Sequence, residues 1–222
     1  MPSLLPGINF LFGLAGETRE SLELNRDFLL KLMDEGLSAR RINIRRAILF
    51  KGSELERRLS GGTGKKAEKN GIKDRDYMKW KDWVREEIDP VMLERVAPNG
   101  TIIRNIIAEE RKGNIVFGRP LGSYPPLVGV ISGRSSAILP NDKIDAMVTG
   151  RGGRSLTAAP YPLDINSCGR AELMSLPEIG KARAEALILR RPYNSPNDII
   201  ETMNAMDTPK LSEKLMRYFT ER

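Results

Sequence analysis

The spacing of apolar residues changes twice along this 222-residue chain, and that pattern limits it to a fold with several parts. In residues 1–98 strand-like runs alternate with helix-like segments, residues 99–160 hold short strand-like runs, and residues 161–222 have helical spacing. A single repeating architecture does not change its period in this way. We therefore predict three domains, α/β then β then α, with boundaries near residues 98 and 160.

The first part contains a strand–helix–strand pattern. Residues 7–12 form a nearly continuous apolar run closed by Gly13, which favours a strand buried on both faces. Thr18 is placed to cap a helix that ends at Gly36, and residues 42–50 form a second strand-like run. Strands joined through a helix pair in parallel, so we expect the two runs to lie side by side.

A second helical pattern follows in the same part. Tyr77, Trp80, Val84 and Ile88 are spaced three and four apart, which predicts a helix with one buried face. Asp89 is followed by proline, a combination typical of a helix start. We therefore predict that a new helix begins there with Asp89 as its cap.

The middle part has the pattern of a small β-barrel. Its strand-like runs are short and are separated by Gly, Pro, Asn or Asp, as expected for hairpins and tight connections. The predicted strands are residues 101–108, 115–119, 127–131, 144–149 and 155–158. Five short strands within about sixty residues predict a small closed barrel of the OB or TRAM type.

The last part is predicted to be helical. Residues 165–167 are placed to cap a first helix, residues 181–190 form a second, and Ser195 followed by Pro196 starts a third. Residues 203–211 weakly repeat the connection between the first two helices. The pattern predicts a small bundle of short helices.

Composition excludes several classes of function. A single cysteine rules out an intramolecular disulfide framework and a cluster held by several thiolates of this chain, and the absence of histidine argues against a zinc enzyme or a histidine-dependent hydrolase. The longest apolar stretch, residues 4–14, is about half of a membrane span, which predicts a cytoplasmic protein with no membrane partner. A net charge of +7 is compatible with a phosphate-rich partner.

Residues 173–188 resemble the helix-hairpin-helix family along their whole length. The resemblance implies that the backbone N–H groups at the start of the second helix bind a phosphate of a nucleic acid. The residues that it assigns to this contact are Pro177, Ile179, Gly180, Lys181 and Arg183. Glu178 stands where the family usually has glycine, and a hairpin kept for packing or for a protein partner is an equally supported alternative.

Two further segments resemble the last strands of the radical S-adenosylmethionine (SAM) barrel. Residues 5–18 resemble a strand followed by a glycine turn that ends in Gly-Glu-Thr, and residues 41–53 resemble the next and last strand. The resemblance implies a partial (β/α) barrel in residues 1–98. Its cofactor-binding residues would be Asn9, Gly13, Asn43 and Arg45.

The family's cluster loop is absent from this chain. A CxxxCxxC loop holds the family's 4Fe-4S cluster, and this sequence has one cysteine in all. SAM and the cluster therefore belong to a complete protein, whose missing first half of the barrel comes from the same gene or from a separate chain. We expect this chain to be inactive alone.

Residues 117–129 and 154–166 resemble a group of archaeal radical SAM proteins with this domain order. In that context Arg119 and Arg154, with Tyr124 and Arg151, predict a basic face for nucleic acid on the barrel. Arginines that only solvate the barrel rim are the simpler alternative. The leading hypothesis is thus part of an enzyme that functionalises an unreactive C–H bond, with nucleic acid as partner; the rival is a non-catalytic module that binds nucleic acid or protein.

Overall fold

The chain forms two compact units, Met1–Val96 and Ala97–Arg222. A computed structural model describes residues 6–39, 41–60, 71–122, 125–133, 138–206 and 216–219. The boundary between the units lies two residues from the one predicted near residue 98. The further division near residue 160 stays a prediction.

The first unit combines two strands with a set of helices. Its elements are β1 (Gly7–Phe12), α1 (Arg19–Asp34), β2 (Arg41–Arg46), α2 (Glu54–Ser60), α3 (Asp74–Trp83), a π-helical turn (Val84–Ile88) and α4 (Asp89–Val96). The strands β1 and β2 pair in parallel, with Gly7 opposite Arg41 and Phe12 opposite Arg46. The predicted parallel pairing is therefore confirmed.

One face of this strand pair forms the core of the first unit. Phe10 and Phe12 are buried, and each ring lies 5.0 Å from the ring of Trp80 in an edge-to-face contact. Such contacts add to the stabilisation from apolar burial. The prediction of a strand buried on both faces is wrong, because Asn9 and Leu11 on the opposite face are exposed.

The second strand is shorter than its apolar sequence predicts. It ends at Arg46, and the predicted extension to residue 50 is wrong. Ile48 and Phe50 are 73% and 68% exposed, so the apolar run continues outside the core of the described residues. Apolar composition alone does not show whether a residue is in the sheet or beyond its end.

A helix, α4, begins at Asp89 as predicted, but the prediction that Asp89 caps this helix is wrong. Asp89 has helical backbone angles, and its N–H donates to the Val84 carbonyl across the π-helical turn. Pro90 is the second residue of α4, a first-turn position where its missing N–H removes no hydrogen bond within α4. α3, the π-helical turn and α4 therefore form one continuous helical segment, of which the predicted residues Tyr77, Trp80, Val84 and Ile88 are buried.

The second unit contains a closed five-stranded barrel. Its strands are β3 (Ile102–Lys112), β4 (Ile115–Pro120), β5 (Leu127–Ile131), β6 (Lys143–Arg151) and β7 (Ser155–Pro160). They are ordered β3-β4-β5-β7-β6 around the barrel, and β5 and β7 are parallel while the other pairs are antiparallel. The predicted closed barrel is confirmed.

Gly118 allows the close approach of two barrel strands. A Cβ atom at this position would lie 2.3 Å from the Ile107 carbonyl oxygen, which no real side chain tolerates. Glycine is required there because the backbone of β3 occupies the space of a side chain.

Three short helices follow the barrel. They are α5 (Arg170–Ser175), α6 (Lys181–Leu189) and α7 (Pro196–Asn204). The predicted capping box at Ser195 is confirmed, but the predicted cap at residues 165–167 is wrong, because α5 begins at Arg170 with Gly169 as its N-cap. Asn166 instead bridges to Tyr193, donating to its carbonyl oxygen and accepting from its N–H.

The three helices share a core with the barrel. Leu173, Leu187 and Met203 of the helices cluster with Met147 and Ala159 of the barrel strands, and all five are nearly inaccessible. Residues 207–211 of the weak repeat predicted at residues 203–211 lie outside the described residues. In the part of the chain that the structure describes, no helix is long and apolar enough to cross a membrane.

Candidate functional sites

Asn9 and Asn43 meet on the open face of the strand pair. They are opposite each other in the register of β1 and β2, and the Asn43 amide Nδ2 donates to Asn9 Oδ1 over 2.9 Å. Arg45 lies two residues further along β2, opposite Leu11, and both are exposed. The period of two along a strand puts these four side chains on the same face.

The two amides keep hydrogen-bonding capacity beyond the bond they share. An amide side chain has two donor hydrogens and an acceptor oxygen, and the shared bond uses one hydrogen of Asn43 and one lone pair of Asn9. Oδ1 of Asn43 and Nδ2 of Asn9 take no part in that bond and are an acceptor and a donor respectively. Such a pair matches the edge of a planar group that carries both a donor and an acceptor, such as a nucleobase.

Gly13 belongs to the turn that follows β1. It has a φ of +89°, and its N–H donates to Glu17 Oε2 over 2.6 Å. The carboxylate of Glu17 also accepts from the N–H of Leu14 over 3.1 Å. The Gly-Glu-Thr sequence thus has a local structural role, which the sequence analysis did not assign to Glu17.

The described residues do not fit an iron-sulfur cluster. They contain no group of three or more His, Cys, Asp or Glu side chains placed to hold a metal ion. The one cysteine of the sequence, Cys168, lies in the second unit and is buried, and this burial raises the pKa of its thiol to about 12. A thiol with such a pKa is protonated at neutral pH and is a poor metal ligand.

The connection between α5 and α6 is a tight hairpin. Leu176 and Ile179 are buried, and Pro177 is half-buried. Glu178 has a φ of +65°, a conformation that favours glycine and explains why glycine suits this position. Ile179, one of the predicted contact residues, therefore packs its side chain in the core. Only its backbone is left for a contact at the hairpin.

The start of α6 is open. A Cβ atom at Gly180 would meet nothing within 4 Å, and Lys181 is exposed. The first hydrogen bond of the helix runs from the N–H of Ala184 to the Gly180 carbonyl, so the preceding three N–H groups have no helix carbonyl to bind. Arg183 folds back instead, donating to the Glu178 carbonyl over 2.6 Å.

The two barrel arginines lie in different settings. Arg119 on β4 pairs with Glu109 of β3, which reduces the charge that it can offer to a phosphate. Arg154 is exposed between β6 and β7. Arg151 donates to Asn99 Oδ1 over 2.9 Å, and Tyr124 lies outside the described residues.

Two archaeal proteins are similar to this chain. It is 37% identical over 200 residues to an uncharacterized protein of Archaeoglobus fulgidus, covering 90% of this chain and 35% of the relative. It is 40% identical over 158 residues to an uncharacterized protein of Methanocaldococcus jannaschii, covering 71% of this chain and 27% of the relative. The chain thus spans about a third or less of these curated relatives, and no family model matches it.

Proposed function

We propose that the first unit is the closing part of a radical SAM barrel and that the open face of β1 and β2 contacts SAM. The observation that carries the proposal is the parallel register that places Asn9 beside Asn43 on an uncovered face. Ligands of parallel sheets bind at the carboxyl ends of the strands, and the turn at Gly13 lies at that end. The free donor and acceptor of the two amides suit the adenine of SAM.

The cluster that the family uses has to come from outside the described residues of this chain. Bound to a 4Fe-4S cluster, SAM supplies the radical with which this family functionalises unreactive C–H bonds. The residues of this chain would bind and orient SAM: the two amides would contact its base, and Gly13 shapes the turn that follows β1. The chain alone is accordingly inactive, and the complete protein includes a polypeptide with a CxxxCxxC loop.

The SAM contact is tested by a binding experiment on the complete protein, meaning this chain together with a CxxxCxxC polypeptide encoded in frame or in an adjacent gene. Asn43→Leu removes both hydrogen-bonding groups of the amide, so we expect SAM affinity to fall about tenfold. Asn25→Leu on α1 is the matched control and should bind normally. Equal affinity of both variants, or the absence of any such polypeptide, would contradict the proposal.

For the second unit we propose nucleic-acid binding, with the barrel as an OB-type fold and the α5–α6 hairpin as a helix-hairpin-helix. In support, the first barrel strand closes on the fourth and the third is parallel to the fifth, which is the order of OB folds. The open start of α6 with exposed Lys181 suits a phosphate. The contacts of Arg119 and Arg183 within the protein reduce the number of cations available.

A salt titration tests this second proposal. Oligonucleotide affinity measured at 50 and 200 mM salt should fall steeply, because each phosphate contact releases counterions. Lys181→Glu should weaken binding about tenfold, whereas Lys31→Glu on α1 in the first unit should not. Affinity that is independent of salt and of Lys181 would favour a protein partner for the hairpin.

This binding also separates the enzyme proposal from its rival, the non-catalytic module. The module binds nucleic acid equally well whether or not a CxxxCxxC polypeptide is present. The enzyme proposal additionally requires that SAM affinity appears when the two polypeptides are combined. The two measurements together therefore assign the chain to one class.

A further inference from the structure

A cleft of about 290 Å³ lies between helices α1 and α3 of the first unit. Each helix contributes four residues at positions i, i+3, i+4 and i+7, which places the four on one face of that helix. They are Arg19, Leu22, Glu23 and Arg26 of α1 and Asp76, Lys79, Trp80 and Trp83 of α3. Facing helices normally pack closely through apolar side chains, so an open and partly charged cleft between them is a candidate binding site.

The buried part of the cleft is aromatic and apolar. Leu22 and Trp80 are 7% and 6% exposed, and the Trp80 ring lies 5.0 Å from the rings of Phe10 and Phe12 in the core. Trp83 is half-buried, and its ring centre lies 6.3 Å from that of Trp80. Rings that the core already holds in place offer a planar ligand a contact surface at a low cost in conformational entropy.

Trp80 also has an unused hydrogen-bond donor. Its indole Nε1 is buried, and no described residue accepts a hydrogen bond from it. A buried indole N–H normally has a partner, so one without a partner requires an explanation. An acceptor atom of a ligand seated against Trp80 would supply what the described residues lack.

Two cations of the cleft have no carboxylate partner. The Arg26 guanidinium lies 4.9 Å from the centre of the Trp83 ring, so it already stacks on an aromatic face. Lys79 is exposed. In the part of the chain that the structure describes, neither cation forms an ion pair with an acidic side chain, and both line the same cleft.

The two acidic side chains of the cleft do not cancel this charge. Glu23 lies 3.7 Å from Arg19, and Asp76 lies 4.0 Å from Arg75, so each acid already has a cation of its own. The surplus is therefore the two unpaired cations. A phosphate monoester carries a charge of about −1.5 to −2 at neutral pH and matches them better than a carboxylate with a single charge.

We propose that the cleft between α1 and α3 binds a small phosphate monoester that carries a planar ring, which is the chemistry of a nucleoside monophosphate. The ring of this ligand packs against Trp80 and Trp83, and its phosphate binds Arg26 and Lys79. A volume of about 290 Å³ is at the lower limit of small-molecule sites, which favours a single nucleotide over a nucleic-acid strand.

The proposed nucleotide site is separate from the proposed SAM contact. Phe10 and Phe12 face Trp80, whereas Asn9 and Asn43 meet on the opposite, open face of the strand pair. The inference therefore does not rest on the proposed function. Either one can fail while the other stands.

Tryptophan fluorescence tests the site directly, because the sequence has two tryptophans and both line the cleft. The chain is titrated with adenosine 5′-monophosphate (AMP), with adenosine, which lacks the phosphate, and with inorganic phosphate, which lacks the ring. We expect a saturable change with AMP, affinity for adenosine at least about tenfold lower, and no change with phosphate at the same concentrations. Equal affinities for AMP and adenosine, or no saturation with AMP, would overturn the proposal.

Three variants locate the binding. Lys79→Gln should weaken AMP binding about tenfold, whereas Lys81→Gln, which loses the same charge from α3 outside the cleft, should not. Equal losses in these two variants would show a general attraction to positive charge and would overturn the proposal. Asn43→Leu should bind AMP normally. A loss in Asn43→Leu with none in Lys79→Gln would place the nucleotide on the open face of the strands, which overturns the cleft site and leaves the SAM contact standing.

Discussion

The Asn43 side chain donates a hydrogen bond to Asn9 across two parallel strands, on the face that the helices of the first unit leave uncovered. The bond joins exposed groups, so water competes for both partners in the absence of a ligand. Its contribution to folding is small for that reason. Its position suits recognition rather than stability.

Because the bond between Asn43 and Asn9 is exposed, we predict that losing it changes stability little. Asn43→Ala should lower the free energy of unfolding by less than about 1 kcal/mol, because an exposed hydrogen bond is replaced by bonds to water. Phe12→Ala, one strand away and buried to 1% exposure, should cost about 3–5 kcal/mol through the cavity it leaves. Urea unfolding of both variants checks the contrast; a large loss in Asn43→Ala would make the amide pair structural.

The backbone conformation of Glu178 predicts that replacing it with glycine stabilises the protein. Its φ of +65° is unfavourable for a residue with a side chain, and glycine adopts it without strain. Glu178→Gly should therefore raise stability by about 0.5 kcal/mol after the entropy of the more flexible unfolded chain is subtracted. In contrast, Glu201→Gly inside α7 should lower it by about 1 kcal/mol. Thermal unfolding that shows a loss for both would contradict the strained conformation.

The raised pKa of Cys168 predicts that the stability of the protein falls at alkaline pH. Burial raises its pKa from 9.0 to about 12, so the unfolded chain releases this proton at a lower pH than the folded chain. The stability contributed by the neutral thiol is complete below pH 9 and is lost as the pH rises toward 12. Urea unfolding between pH 8 and 11 should therefore show a steeper loss for the native chain than for Cys168→Ala, and parallel curves would refute the burial of the thiol.

The lowered pKa of Asp198 predicts that the stability of α7 falls at acid pH. Hydrogen bonds from the Ser195 hydroxyl and from the N–H groups of Asn194 and Ser195 hold the pKa of this carboxyl below its usual value of 3.8. The capping box therefore contributes stability above that value and loses it as the pH falls through the lowered pKa. Helical circular dichroism of Asp198→Asn should vary less between pH 5 and 2 than that of the native chain. An unchanged acid transition would mean that the box does not hold the start of α7.

The sequence predicted those elements whose apolar pattern ends at a turn residue. β1 is delimited by Gly13 and α7 by Ser195 and Pro196, and both were located correctly. β2 was placed too long because Ile48, Leu49 and Phe50 are apolar yet exposed, a distinction that depends on what covers them. The continuous helix through Asp89 was missed because a π-helical turn has no sequence signal, while Asp-Pro is typical of a helix start.

The candidate sites were predicted in part. The shared face of Asn9, Asn43 and Arg45 follows from parallel pairing and the strand period, which a sequence can show. The contacts of Arg119 with Glu109 and of Arg183 with the Glu178 carbonyl depend on tertiary packing and on the hairpin's left-handed residue. The Arg85 contact with Ile42 joins residues 43 positions apart, and no local pattern indicates it.

Reductive cleavage of SAM by the complete protein tests the central claim most directly. The chain is combined with the CxxxCxxC polypeptide under anaerobic conditions, and formation of 5′-deoxyadenosine is measured after addition of a reductant. We predict that the product forms only when both polypeptides are present and that Asn43→Leu lowers its rate about tenfold. Product formation that is the same with and without this chain, or none with both, would contradict the account.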